Sequence, residues 1–471
     1  MNLSISLSFA LIGLCAVIYR VLQIGKRDPR MPKGPPTVPI LGNAHMLPTT
    51  GLYKKMKEWT KTYGPVFSLK IGPSNTVVLC DRKAIHQLLL DENHFRVQEA
   101  EATVLMSNLC NNPDNFYSEI RRYTASVVTS ITYGCRAPTS DSFWCKWTAA
   151  MEPGANPPVD VFTWLQYIPS SFAFWKRRAI DAGKTMDGTW GEARRRVEER
   201  RAKGEKRRCI VDTLLDEYEK KGWPSSIPQH AFTNLLGEII EGGADTTAAQ
   251  LLTLILAFAL HPEVQTKARE EIDAICGTER SPRWDDFSKL PFINCIVKEG
   301  MRWRPVAVTA LPHKVRQDDE YQGMLIPKDS TIFIPTWAIH HNENIYKDPE
   351  TFDPDRYAQH PRLANDYAGS PDWANRDHYN YGAGRRICPG IHLAERNMWR
   401  IASKLLWAFE FAEPTDPKTG EVTHLDPEAY NPGILQAPLP FKVSIKPRSE
   451  AHVATILREH EGSLEFLSQY S

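Results

Sequence analysis

The run Tyr381-Gly382-Ala383-Gly384-Arg385-Arg386-Ile387-Cys388-Pro389-Gly390 constrains this chain more than any other stretch. Glycines at 382, 384 and 390 permit tight backbone turns and close approach to a flat ligand. Backbone N–H groups in such a turn can hydrogen-bond a thiolate and lower its pKa. The arginines supply positive charge for an anionic partner. Downstream, Ile391 to Trp407 reads as a long helix, which places Cys388 at its mouth, where the helix dipole favours a negative sulfur. Taken alone, the same letters also describe a Gly-rich loop with an incidental buried cysteine.

The other cysteines do not compete with that reading. The nine in all, Cys388 included, are scattered along 471 residues without a C-x-x-C pair, which argues against a disulfide framework and a zinc ribbon and suits a reducing compartment. The chain is 42% hydrophobic and 24% charged, enough for a large core. A net charge of +1 makes no case for nucleic acid.

The front of the chain predicts a membrane anchor over residues 1–24. Leu3 to Tyr19 is uncharged and mostly apolar, Arg20 can snorkel to the interface, and Lys26, Arg27, Arg30 and Lys33 follow. That basic flank orients the body of the protein into the cytosol. No basic n-region or small-residue cleavage site marks a signal peptide. Asn2-Leu3-Ser4 is a glycosylation sequon on the luminal side. Residues 25–43, dense in proline, predict an extended, stiff hinge. Residues 44–448 form the catalytic body and 449–471 a tail without an assignment.

Within the body, Val66–Leu69 and Thr76–Cys80 read as short strands, and Asp81 as the cap of a helix carrying Ile85, Leu88, Leu89 and Leu90. Helical stretches dominate from Asp114 to Asp273. β-type segments return at Val306–Val315, Thr331–Ile334 and Phe441–Ile445. The fold class expected is mainly α with minor β-sheets, in one large domain. The Lys/Arg cluster at 194–208, interspersed with Glu198, Glu199 and Glu205, reads as a solvated helix face.

Two further constellations stand out. Glu299 and Arg302 lie one helical turn apart and can pair on one face, and Arg356 follows in Phe352-Asp353-Pro354-Asp355-Arg356-Tyr357. Gly242-Gly243-Ala244-Asp245-Thr246-Thr247 lies inside the apolar stretch from Phe232 to Leu260. Two glycines inside a helix cost about 1 kcal/mol each relative to alanine, which asks for a local reason such as close packing or an opening.

The cysteine loop resembles the ligand loop of the cytochrome P-450 family, with Tyr381 in place of the usual Phe. Glu299, Arg302 and Arg356 resemble that family's buried structural triad, and Gly242–Thr247 its oxygen-activation helix. The resemblance runs from the anchor to about Lys446. It implies the P-450 fold, haem b with Cys388 as axial ligand to the iron, Arg386 and His313 at the haem propionates, and Gly384, Gly390 and Tyr381 around the group. Asp245 and Thr246 would order water and deliver protons. The activity implied is a monooxygenase that hydroxylates or otherwise oxidises a hydrophobic small molecule, in the manner of fungal secondary-metabolite enzymes. It would use O2 and electrons from NADPH through a partner reductase, at the endoplasmic reticulum membrane. Arg385, Arg396 and Arg400 are candidates for docking the reductase.

One piece of the family pattern is not found. The helix with Trp-x-x-x-Arg, whose side chains contact a propionate, is missing where His94-Phe95-Arg96-Val97-Gln98 runs straight into Glu99–Leu109. Trp190-Gly191-Glu192-Ala193-Arg194 fits the letters but lies far too late, among surface charges. A segment missing near residue 95 admits either a mis-spliced gene or a true variant with impaired haem retention. Two other readings therefore stand beside the first: a haem-thiolate isomerase or dehydratase, against which Asp245-Thr246 argues, and an inactive truncated relic.

Overall fold

Apolar residues at helical spacing leave most of this chain little choice but to bury helix against helix. The computed structural model describes residues 25–27, 33–46, 52–64, 66–71, 74–79, 92–145, 163–224, 227–433 and 435–471, with isolated positions between 19 and 23. In chain order the helices are α1 (Leu52–Tyr63), α2 (Glu92–Asn111), α3 (Phe116–Tyr133), α4 (Phe174–Ala202), α5 (Ile210–Lys221), α6 (Gln229–Leu260), α7 (Pro262–Cys276), α8 (Pro291–Trp303), α9 (Thr336–His340), α10 (Ala364–Ala368), α11 (Ile391–Ala408) and α12 (Glu450–Leu467). The strands form small antiparallel pairs: β1 (Val66–Ile71) with β2 (Ser74–Leu79), β3 (His313–Lys314) with β6 (Thr331–Ile332), β4 (Asp319–Tyr321) with β5 (Met324–Ile326), and β7 (Phe409–Ala412) with β8 (Ser444–Pro447). The described chain is thus mainly helical with minor sheets. The anchor stretch over residues 3–18, the sequon at Asn2 and the helix expected after Asp81 lie outside the described residues.

Two compact units divide the chain, Met1–Phe95 with Leu214–Phe232, and Arg96–Thr213 with Thr233–Ser471. In the first, the proline-rich segment is fastened to β1. The Arg27 guanidinium donates to the carbonyls of Gly34 (2.7 Å), Pro35 (2.6 Å) and Ser68 (3.0 Å). Asn43 donates to Pro35 and Pro36 and accepts from the Lys70 amide at 2.8 Å. A Cβ at Gly34 would overlap the Ser68 carbonyl, so glycine is what lets the two backbones meet. Beyond these ties, Tyr218, Trp223 and Phe232 pack edge to face.

The second unit holds the large core. Ala248 to Ala259 of α6, Ile293 to Trp303 of α8 and Met398 to Ala408 of α11 bury their apolar faces in one cluster with Leu105 and Leu109 of α2 and Tyr123 and Val127 of α3. Helix α6 is long and apolar enough to cross a membrane, but 78% of its most apolar window is buried, so it is a core helix. Buried charges accompany the packing: Arg122 pairs with Glu101 (2.9 Å) and Glu119 (2.8 Å), and Arg136 with Glu101 (2.9 Å).

Several expectations are corrected. The last strand is shifted to Ser444–Pro447 from the expected Phe441–Ile445, because its register follows β7, where Phe411 faces Ile445. Only His313–Lys314 of the expected Val306–Val315 segment is strand. The basic cluster at 194–208 is divided: Arg195 and Arg196 pair with Glu192 on the exposed face, whereas Arg200 and Arg201 are buried against Asp212 (2.7 and 3.2 Å). The tail forms α12, capped by Ser449, with Thr455 donating to the Thr278 carbonyl (2.8 Å) and Leu467 and Tyr470 packed on Val97, Ala100 and Val104 of α2.

Candidate functional site

The cysteine loop is built on backbone bonds that only particular residues permit. The Gly382 amide donates to Tyr379, and the Cys388 amide to the Tyr381 carbonyl at 2.8 Å. Gly382 (φ 74°) and Gly384 (φ 65°) occupy the left-handed region, where a side chain is strained. Gly390, read with them as permitting a tight turn, does not use a glycine's freedom of φ. Its φ is −83°, and a Cβ there would stand 3.8 Å from the Cys388 sulfur in ordinary contact. Arg376 donates to the Gly382 carbonyl (2.6 Å) and braces the turn from outside. The Tyr379 amide donates to His340 Nε2 at 2.9 Å, with His340 wholly buried.

Cys388 thus stands half-buried at the mouth of α11, its sulfur accepting backbone N–H bonds from Gly390 and Ile391. Burial pushes the free thiol up, and those two N–H bonds pull it down. Burial wins, so the loop alone does not deliver the lowered pKa that the sequence suggested. Tyr381 is buried beside the loop and its hydroxyl has no hydrogen-bond partner among the described residues. Arg385 and Arg386 are exposed on the one-turn segment Gly384–Arg386, and His313 is half-buried in β3, paired with Ile332.

Glu299, Arg302 and Arg356 come together. The Glu299 carboxylate takes two bonds of 2.7 Å from Arg302, with both side chains fully buried. Arg302 spends its remaining N–H groups on the carbonyls of His340 (3.0 Å), Pro349 (2.8 Å) and Thr351 (3.1 Å). Arg356 approaches Glu299 at 3.5 Å, and the Asp353 amide donates to it at 2.8 Å. Nearby, Lys298 pairs with buried Asp377, a contact that the sequence did not signal.

On α6 the helix runs unbroken through Gly242-Gly243, so the expected opening is not a break in the helix. The two glycines differ: a Cβ at Gly243 would press on Val128 at 3.0 Å, whereas Gly242 faces open space. Thr246 donates its hydroxyl to the Gly242 carbonyl at 2.7 Å. Asp245 is half-buried, and burial pushes its carboxyl up while Arg121 of α3 pulls it down. One turn on, both polar atoms of the Gln250 amide are buried without a partner among the described residues.

Three basic residues expected at the surface are sorted by the fold. Arg385 is exposed and Arg396 half-buried over the Trp284 ring. Arg400 is 1% exposed and pairs with Glu99 (2.7 Å) and Gln98 (2.6 Å), so it cannot dock a partner. Sequence reasoning also dismissed Trp190 as lying among surface charges; it is 4% exposed and packs on α6.

These features suit a flat, metal-bearing anionic group. A sulfur donor is presented with backbone N–H support, space is open at Gly242 and Gly384, buried polar atoms at Tyr381 and Gln250 lack partners, and cations border the loop.

Comparison with known proteins points the same way. The family model described as Cytochrome P450 matches residues 32–115 and 105–445, as two stretches. The chain is similar to the cytochrome P450 monooxygenase yanC of Aspergillus niger, 38% identical over 98% of each chain. It is 37% identical to the cytochrome P450 monooxygenase macC of Penicillium terrestre, again over 98% of each. To the cytochrome P450 monooxygenase patI of Aspergillus clavatus it is 37% identical over 96% of this chain and 95% of that one. The yanC alignment runs to 533 positions, more than the 471 residues here, so the relative has positions without a counterpart in this chain. The chain belongs to the cytochrome P450 family, among its fungal monooxygenases.

Proposed function

We propose that this protein oxidises a hydrophobic small molecule of fungal secondary metabolism, using O2 and two electrons passed from NADPH by a partner reductase. The seat of Cys388 carries the reading: a half-buried sulfur at the mouth of α11 that accepts N–H bonds from Gly390 and Ile391. Cys388 would hold haem b through its sulfur, and the positive iron would keep that sulfur as thiolate against burial. Arg386 would offer a cation and His313 a basic group to the propionates, and Gly384, Gly390 and Tyr381 would border the group. Glu299, Arg302 and Arg356 are scaffold. The bound group supplies reductive activation of O2, one atom going to substrate and the other to water.

The remaining work belongs to the chain. Asp245, its carboxyl raised by burial against the pull of Arg121, can exchange a proton with a water, and Thr246, its hydroxyl hydrogen committed to Gly242, keeps lone pairs free to accept from one. Residues 1–24 anchor the chain in the endoplasmic reticulum membrane with the body in the cytosol. The Trp-x-x-x-Arg helix missing from the sequence near residue 95 would leave one propionate support lacking.

Membranes bearing the protein, a P450 reductase and NADPH, supplied with a panel of hydrophobic metabolites, test the reading. Product that requires both NADPH and O2 is expected. Product without either would instead favour an isomerase or dehydratase. The absent Trp-x-x-x-Arg helix favours one further reading, a relic that retains no haem; no product under any condition would select it.

A further inference from the structure

The α6 face that carries Asp245 extends towards solvent through two more carboxylates. Glu238, Glu241 and Asp245 are spaced three and four residues apart, so they line one side of the helix. Glu238 is exposed, while Glu241 and Asp245 are half-buried. Trp190 of α4 lies across this stretch. A Cβ at Gly237 would overlap the indole, so glycine at that turn admits the ring. Arg194, one turn along α4, donates to Thr233 at 3.1 Å and fixes the crossing. The indole N–H, a donor only, hydrogen-bonds the Glu241 carboxylate.

We propose that Glu241 is a proton relay, held by the Trp190 indole, that passes protons from the Glu238 end of α6 to Asp245. The inference rests on the monooxygenase reading, because Asp245 and Thr246 are its destination. A proton leaves the Glu241 carboxyl for the Asp245 carboxylate, directly or through one water. The negative charge left on Glu241 is neutralised from solvent past Glu238. No electron moves, and each transfer carries one proton inward and one negative charge outward. Glu241 acts through Asp245 and touches neither substrate nor cofactor.

Its surroundings suit the task. Burial, together with the charges of Glu238 and Asp245, pushes Glu241 up to about 7, and the Trp190 bond pulls the other way. From α4 the facing group is the uncharged indole, and from α3 Arg121 acts on Asp245. A carboxyl poised near neutrality both holds and releases a proton at working pH. The letters of Trp190-Gly191-Glu192-Ala193-Arg194 gain a role here: both named side chains lock α4 onto the relay face.

The test compares the full chain with Glu241→Gln, Glu241→Asp and Trp190→Phe, by two readouts. Infrared difference titration between about pH 5 and 9 follows protonated carboxyls and needs no turnover. A band with a midpoint near neutrality is expected, lost in Glu241→Gln, kept in Glu241→Asp and moved upward in Trp190→Phe. The second readout is product formed per NADPH consumed, which should fall roughly 10- to 100-fold in Glu241→Gln, with an enlarged solvent isotope effect, and recover in Glu241→Asp. Unchanged coupling in Glu241→Gln overturns the relay while leaving the monooxygenase reading intact. If no variant makes product, the infrared arm decides alone: a near-neutral carboxyl band that is missing, or that survives Glu241→Gln, overturns the relay.

Discussion

Glu299–Arg302 on α8 and Asp245–Thr246 on α6 belong to the same unit and live under opposite conditions. The first pair is fully buried, and every guanidinium nitrogen of Arg302 donates to a fixed partner. Around the second, the side chains are half-buried, Gly242 opens onto empty space, and the threonine's bond is to its own helix. A saturated, dehydrated network cannot take up or give away a proton without leaving a charge unpaired, so it serves as a frame. A partly satisfied face beside open space can bind water and exchange protons. The contrast sorts scaffold from chemistry before any ligand is considered.

Breaking the frame should do the most damage. Arg302→Ala strands a buried carboxylate and three carbonyls, and thermal or denaturant unfolding should register a loss of about 3–5 kcal/mol. A near-native unfolding midpoint would show that the pair is not the frame. Next comes Glu395, buried on α11 and accepting amide bonds from Ala364 (2.5 Å) and Asn365 (3.3 Å). Burial raises its carboxyl to about 7, above its unfolded value. Its stabilising contribution is therefore complete at acid pH and disappears as pH rises towards 7. The slope should be at most about 1.4 kcal/mol per pH unit, and Glu395→Gln should flatten it. Unfolding free energies measured across that window check the sign. Gly382→Ala forces a side chain into a positive φ and should cost about 1–2 kcal/mol, which calorimetry resolves.

The chemical face should behave the other way. Thr246→Ala should change stability by less than about 1 kcal/mol while lowering product formed per NADPH consumed; unchanged coupling would count against a role in proton delivery. The smallest effect is expected at exposed Arg385, where Arg385→Glu should slow reduction modestly and mainly at low salt, as stopped-flow mixing with reductase can show.

How much of this was legible depends on whether the partner was local. Cys388 and its glycines could be read because a tight loop before a helix is a local pattern, although Gly390 proved not to need its freedom of φ. Glu299 and Arg302 are one turn apart, yet only their place in a larger order made the pair meaningful. Arg400 could not be read, because its partner Glu99 lies 301 residues away in sequence. The same holds for Trp190 and Glu241. The β4–β5 hairpin turns on Gln322 (φ 52°) and Gly323 (φ 78°), a pairing without the Asn-Gly signature of such turns. Helix α12 was within reach: Ser449 caps it, its hydroxyl accepting from the His452 amide, ahead of an apolar stripe.

The central claim is that Cys388 holds haem iron through sulfur. Its most direct test is the reduced, carbon-monoxide-bound difference spectrum of membranes carrying the full chain, beside Cys388→Ala. The account predicts a red-shifted Soret band that vanishes in the variant. Protein without any such band, or a band that survives loss of Cys388, would contradict it.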